Sequence, residues 1–234
     1  MAVPPDRMRV ARLHAPGDVR VHEEPVPGLD EGDVLVRVTA VGLCGSDRHW
    51  FVDGSIGGTG IDGPLVLGHE FAGVITSGPG AGRRVVAEPA IPCGACRTCS
   101  SGRVELCPTA RFAGYGGTDG ALRTFTAWPA SLLVDLPDAI DDDEAALLEP
   151  LGIALHAIHL AALEPGANVA ILGAGPIGQL VVRALAAGIG GASDVSVAEP
   201  LAHRQALAMA AGARPVLADD SPDVAVEFSR QAAA

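Results

Sequence analysis

Aromatic side chains are scarce in this 234-residue sequence, with one Tyr, two Trp and five Phe. A surface that stacks bases or sugar rings is therefore not expected, because such surfaces are built on aromatic faces. Basic residues are in deficit, 16 Lys and Arg against 28 Asp and Glu, for a formal charge of −12. That balance argues against nucleic acid or an anionic membrane as partner, since the phosphate term would be repulsive. Long apolar runs are missing too. The longest are broken by Gly173, Gly175, Pro176, Gly178 and Arg183, and none reaches the roughly 18 unbroken residues of a membrane span. The opening Met-Ala-Val-Pro-Pro-Asp-Arg has no apolar core of the signal-peptide kind. A soluble cytoplasmic protein is the expectation. What the chain does have is Ala and Val, 30 Gly, 18 Pro and 48% hydrophobic residues, the profile of a turn-rich globular chain long enough for two compact units.

The five cysteines are unevenly placed. Cys93, Cys96, Cys99 and Cys107 follow the pattern C-x2-C-x2-C-x7-C, and Cys44 stands alone. Disulfides between cysteines three apart are strained, and a cytosolic chain keeps its thiols reduced. Clustered thiolates are better explained by a tetrahedral ion, zinc by preference. The intervening Gly94, Ala95, Arg97 and Thr98 are small or basic, so the loop can fold tightly and part of the thiolate charge is offset. Four thiolates leave no open coordination position, which assigns the ion to holding a loop together rather than to catalysis. An iron–sulfur cluster is the alternative, because cysteines spaced by two also resemble ferredoxin ligation.

Up to about residue 135 the chain reads as short strands separated by Gly and Pro. In Asp33 to Val41 the alternation of Val34, Val36, Val38 and Ala40 with Leu35, Arg37, Thr39 and Val41 has the period of a half-buried strand. Met8 to Leu13, Pro64 to Leu67, Phe71 to Thr76, Arg83 to Ala87 and Leu122 to Ala127 are further candidates. Asp141, Asp142, Asp143 and Glu144 form an acidic first turn suited to a helix N-terminus, Pro150 is expected to interrupt that helix, and Leu151 to Leu163 to form a second. From Asn168 strands and helices alternate: Asn168–Leu172, a helix from about Pro176, Asp194–Ala198, a helix from about Pro200, Val216–Leu217 and Asp223–Phe228. Such alternation predicts a parallel sheet with crossover helices. The expected domains are 1–150, β-rich, and 151–234, nucleotide-binding.

Between the first strand and helix of that second part stands Gly173-Ala174-Gly175-Pro176-Ile177-Gly178, a G-x-G-x-x-G motif in the context it needs. Gly173 allows the turn, Gly175 lets backbone approach a pyrophosphate, and Gly178 lets helix and strand pack closely. The helix N-terminal amides would face the anion, and Pro176 suits a first helical turn. Glu199, at the end of the next strand, would accept hydrogen bonds from the adenosine ribose and repel a 2′-phosphate, which favours NAD. Arg204, one helical turn further on, keeps NADP open because it could pair with that phosphate.

Three scattered signals remain. Cys44-Gly45-Ser46-Asp47-Arg48-His49 follows one strand, Gly68-His69-Glu70 follows another, and Glu149-Pro150-Leu151 lies near the join of the two parts. Together with the four-cysteine segment and the glycine motif, in this order along nearly the whole chain, they resemble the zinc-dependent medium-chain alcohol dehydrogenases. The likeness is strongest to the polyol (sorbitol-like) and threonine dehydrogenase branch. The resemblance implies a GroES-like irregular β-barrel domain joined to a Rossmann doubly wound parallel sheet, with two zinc ions per chain and NAD. It implies that Cys44 and His69 bind a catalytic zinc, with Glu70 and Glu149 as carboxylate ligands, either of which is the resting one. Asp47 matches the acid that holds His69 by its free ring nitrogen. Ser46 and His49 match the family's proton relay, against plainer readings as a helix cap and a surface histidine. The substrate implied is a secondary alcohol on a polyol, sugar derivative or amino-alcohol, oxidised by hydride transfer. The full family fold implies a homo-oligomer, dimer or tetramer. His14, His22, His156, His159 and His203 are read as structural or surface residues. Two departures stand out: Arg83 occupies a position where Asp is common, and about 60 residues follow Gly173, room for one mononucleotide half of the sheet. The alternative expectation is thus a truncated, inactive relative that binds zinc and nucleotide.

Overall fold

The computed structural model describes residues 4–216 and 224–227. The chain divides into two compact units, Met1–Glu149 and Pro150–Ala234. The first opens with a hairpin of β1 (Arg7–Ala15) and β2 (Asp18–Pro25). β3 (Asp33–Gly42) is followed by a short helix, α1 (Gly45–Asp53). A ribbon of β4 (Ser55–Ile56) and β5 (Thr59–Gly60) leads to β6 (Leu65–Val66). Then come β7 (Glu70–Ser77), β8 (Arg84–Ala87), β9 (Ala90–Ile91), α2 (Arg97–Ser100), β10 (Arg111–Phe112), β11 (Phe125–Pro129) and β12 (Leu133–Asp135). The main sheet is antiparallel, in the order β11-β3-β7-β8-β12, and a second sheet has the order β2-β1-β6. The expected irregular barrel takes the form of separate open sheets; among the described residues none closes on itself.

β3 departs from the half-buried pattern expected of it, because Val34, Leu35 and Val36 are all buried. Val34 and Val36 pack with Phe71, Ile75, Val85 and Trp128, whose ring meets that of Phe71 edge-on at 5.5 Å. Leu35 packs instead with Met8, Val10, Val66 and Phe125. The strand is thus covered on both faces along these three residues, each burial contributing about 1.5–3 kcal/mol.

All 16 basic side chains are Arg, the residue suited to forked pairing with carboxylates. Arg12 forks to Glu24 at 2.6 and 2.8 Å and to Asp119 at 2.9 and 2.8 Å, tying β1, β2 and the segment before β11 together. The hydrogen bond from Arg12 holds the Glu24 carboxyl below its ordinary value.

At the end of the first unit α3 (Asp142–Ala146) begins with a reciprocal cap: Asp141 Oδ1 accepts the Glu144 amide at 2.7 Å, and Glu144 Oε2 accepts the Asp141 amide at 3.0 Å. The interruption expected at Pro150 falls at Leu147 instead. α4 spans Leu148–Ala161 with Pro150 in its first turn, where a missing amide hydrogen costs no helical bond.

The second unit contains β13 (Asn168–Leu172), α5 (Pro176–Ala186), β14 (Asp194–Ala198), α6 (Ala202–Ala210), β15 (Arg214–Pro215) and β16 (Val224–Glu227). The four strands are parallel in the order β15-β14-β13-β16, the arrangement of the first four strands of a doubly wound sheet. Val169, Ile171, Val181, Leu185 and Val197 form its core with Ala154 and Ile158. The strand expected at Val216–Leu217 lies two residues earlier, and Leu217, Asp223 and Phe228 lie outside the described residues. Among the described residues no helix is long and apolar enough to cross a membrane.

Candidate functional site

The end of β3, the start of α1 and the start of β7 meet at one point. There Cys44, His69 and Glu70 each offer a ligand atom, and these atoms lie within 4.8 Å of one another. The sequence places them by simple means. Gly42 and Glu70 are register partners in the β3–β7 ladder, Cys44 is the N-cap of α1, and Glu70 opens β7. His69 and Glu70 are buried, and Cys44 is half-buried.

Asp47, 3% exposed, locks these segments by their main chain. Its Oδ2 accepts the Cys44 amide at 2.9 Å and its Oδ1 the Gly68 amide at 3.1 Å. The expected link to His69 is longer: Nδ1 stands 3.9 Å from Asp47 Oδ1, outside direct hydrogen-bond reach. The His69 ring rests against Phe112 at a centroid distance of 5.1 Å.

Burial pushes the Cys44 thiol and the Glu70 and Glu149 carboxyls up, toward their neutral forms. For Glu70 and Glu149, His69 opposes that push, while Glu70 adds to it at Glu149. The buried Glu70 carboxyl and the Cys44 thiol converging on the His69 imidazole form a donor set suited to a divalent cation, which would favour each ionised form. Glu149 is electrostatically coupled to His69 and Glu70 but does not join the three residues whose ligand atoms lie within 4.8 Å of one another. Ser46 acts against that burial at Cys44, in the direction of the thiolate. His49, one turn further along α1, is exposed, with Nδ1 2.7 Å from Asp53 Oδ2.

Gly42 was missed in the sequence. A Cβ there would come 2.2 Å from Glu70 Oε2, so the bare backbone makes the space the carboxylate occupies. The available signal was a glycine inside a β run, which marks a close approach. Gly42→Ala is expected to displace Glu70 and weaken zinc retention roughly 10–100-fold, checked by competition with a chromogenic chelator.

The four-cysteine segment forms a second cluster. Sγ atoms of Cys96 and Cys99 are 3.4 Å apart, those of Cys96 and Cys107 3.9 Å, and those of Cys93 and Cys99 4.0 Å. An ion with Zn–S bonds of about 2.3 Å in a tetrahedron requires S···S edges of about 3.8 Å, so the residues fit. The backbone amide of Ala95, then the Thr109 hydroxyl and the Cys96 amide, lower the Cys93 thiol to about 6, favouring the ligating thiolate. The Thr98 hydroxyl acts first on Cys96, in the same direction.

In the second unit the glycine turn joins β13 to α5. Gly173 has φ 96°, a left-handed conformation natural to glycine. A Cβ on Gly178 would lie 2.1 Å from the Gly173 carbonyl oxygen, whereas one on Gly175 would meet only Arg204 Nη1, at 3.8 Å. Pro176 is the first residue of α5, and Ile177 packs partly buried on the core. Both Glu199 oxygens are engaged: Oε2 accepts the Ala174 amide at 2.8 Å and Oε1 the Leu201 amide at 2.9 Å. Partial burial pushes this carboxyl up, but the two amides outweigh it and leave the group below its ordinary value.

An open β unit carrying a thiol–imidazole–carboxylate cluster and a cysteine lobe, followed by a parallel-sheet unit with a glycine turn, is an architecture that resembles the metal-dependent dehydrogenases. Comparison with known proteins agrees. Residues 30–138 match the alcohol dehydrogenase GroES-like domain. The sorbitol dehydrogenase of Bacillus subtilis (strain 168) is 36% identical over 213 residues, 88% of this chain and 60% of that protein. The 2R,3R-butanediol dehydrogenase structure from Bacillus subtilis superposes with a TM-score of 0.83 at 32% identity, covering 94% of this chain and 70% of that one. A structure described as a short chain alcohol dehydrogenase from E. coli CFT073, complexed with NADH, gives a TM-score of 0.81 at 30% identity, covering 97% of this chain and 64% of that one. The chain belongs to the zinc-dependent medium-chain alcohol dehydrogenase family. It spans about 60% of the length of the sorbitol dehydrogenase it matches.

Proposed function

We propose that this chain acts in a zinc-dependent oxidoreductase that transfers a hydride from a secondary alcohol, on a polyol, sugar derivative or amino-alcohol, to NAD. The observation that carries the reading is the convergence of Cys44 with His69 and Glu70, from two segments well separated along the chain. The similarity to a sorbitol dehydrogenase supports the polyol class. Zinc held there supplies a Lewis acid that lowers the pKa of an alcohol hydroxyl. Cys44 and His69 would hold the ion, with Glu70 and Glu149 as the carboxylates available to complete its coordination. Asp47 fixes the ligand-bearing backbone. Ser46 Oγ receives the substrate proton and passes it toward the exposed His49 ring, which Asp53 orients through Nδ1.

The turn from Gly173 to Gly178 and the N-terminus of α5 cradle the pyrophosphate, and Glu199 uses its remaining lone pairs on the adenosine ribose. Arg204, near Gly175, is the residue that would meet a 2′-phosphate. The acidic balance leaves small molecules rather than nucleic acid or membrane as partners. The proposal includes cytoplasmic location and, in the full family fold, a homo-oligomer.

The test is NADH formation from a panel of polyols by protein carrying two zinc ions per chain. Absence of turnover with every secondary alcohol tried removes the reading, and a preference for NADP+ removes the argument from Glu199. Two glycine variants separate fold from cofactor. Gly178→Ala is expected to destabilise the protein by about 1–3 kcal/mol, because backbone must move to admit the methyl group. Gly175→Ala is expected to leave thermal unfolding unchanged while weakening NADH binding, read by fluorescence titration.

A further inference from the structure

The β1–β2 hairpin carries a histidine pair that the dehydrogenase reading does not use. His14 and His22 bring their Nε2 atoms to 2.8 Å, with ring centroids 5.0 Å apart and planes inclined at 53°. The strands slip register between Leu13 and Ala15, which places His14 at an irregularity of the kind that re-aims a side chain. Both rings are half-buried, so they are held by the hairpin yet reachable from solvent.

The neighbouring charges are already spoken for. Asp18 interacts electrostatically with His14, and Glu24 with His22. Each of these carboxylates is forked by an arginine: Asp18 by Arg20 at 2.9 and 2.6 Å, Glu24 by Arg12 at 2.6 and 2.8 Å. What the hairpin offers a ligand is therefore two imidazole nitrogens without a free carboxylate.

We propose that His14 and His22 form a third metal site, a two-imidazole chelate for a divalent transition-metal ion of the nickel and copper class, completed by water. Two nitrogens bound at about 2.0–2.1 Å on one ion lie about 2.9 Å apart at the right angle of square-planar or octahedral nickel and copper sites, which the 2.8 Å separation matches, and about 3.4 Å apart in the tetrahedron zinc prefers. A donor set of imidazole alone selects these ions over magnesium or calcium, which prefer oxygen. The excess of acidic residues over the whole chain draws cations to its surface. The site requires both imidazoles unprotonated, so acid opposes binding.

The test is calorimetric titration of the full chain, zinc-loaded at its cysteine sites, with Ni2+. One further equivalent is expected, lost in His14→Asn and in His22→Asn while zinc content and thermal unfolding stay as in the parent. In the parent chain, paramagnetic broadening of imidazole signals should concentrate on His14 and His22, a reading that does not depend on the variants folding. Absence of a further equivalent overturns the proposal and leaves the pair as a shared-proton hydrogen bond. So does an equivalent that survives both substitutions, which would place the ion elsewhere, for example on the exposed His156 and His159 of α4. Neither failure bears on the dehydrogenase reading, since Cys44, His69 and Glu70 take no part.

Discussion

Cys44→Ala is expected to abolish alcohol oxidation while leaving the cysteine lobe metallated, so that zinc falls from two ions per chain to one. The thiol is half-buried and gathered with His69 and Glu70 within 4.8 Å. Removing it takes away a thiolate ligand and leaves a buried carboxyl and imidazole with less to hold an ion. If the ion supplies several kcal/mol of transition-state stabilisation, the loss is about a thousandfold or more in rate. Activity assays beside metal analysis check it. A Cys44→Ala protein that turns over at the parent rate would overturn the assignment of this cluster.

Cys107→Ala is expected to have its largest effect on stability. Cys107 is the buried member of the lobe, its sulfur 3.9 Å from that of Cys96 and hydrogen-bonded by the Cys93 amide at 3.3 Å. Structural zinc in small modules carries an apparent binding free energy of about 10–16 kcal/mol, and the segment from Cys93 to Cys107 holds few buried residues of its own. Loss of the ion should melt that segment first. The disturbance should then pass through β10, where Phe112 packs on the His69 ring. Hydrogen exchange rising over residues 93–112, with one zinc lost and activity only partly reduced, is the expected pattern. Uniform exchange across the chain would show instead that the lobe supports the whole unit.

How much of this was legible depends on how local each cause is. The parallel sheet showed in the sequence because buried strands and an amphipathic helix carry their periods in consecutive residues, as Val169 to Leu172 and Val181 to Leu185 do. β2 did not show: of its residues only Val19 and Val21 are aliphatic apart from Pro25, and both are exposed. This edge strand is held by its ladder with β1 and by the arginine forks. α1 was equally hidden, since only Asp47 and Trp50 of its nine residues are buried. The break at Leu147 was misplaced because proline reads as a breaker unless its position within the first turn is known. At the site, residue types announced the candidates Cys44, His69 and Glu70, and order along the chain connected them. What could not be read was the hold of Asp47 on the Gly68 amide and the space made by Gly42, for both depend on contacts between segments more than twenty residues apart.

The way Asp47 grips main-chain amides at Cys44 and Gly68, rather than the His69 ring, has a consequence for metal traffic. Scaffold rigidity at this centre is supplied by the polypeptide itself, so stripping the ion with a chelator should leave the pocket standing. Reloading should then proceed as rapidly as zinc is delivered, without a slow refolding phase, in contrast to the cysteine lobe, whose order depends on its ion.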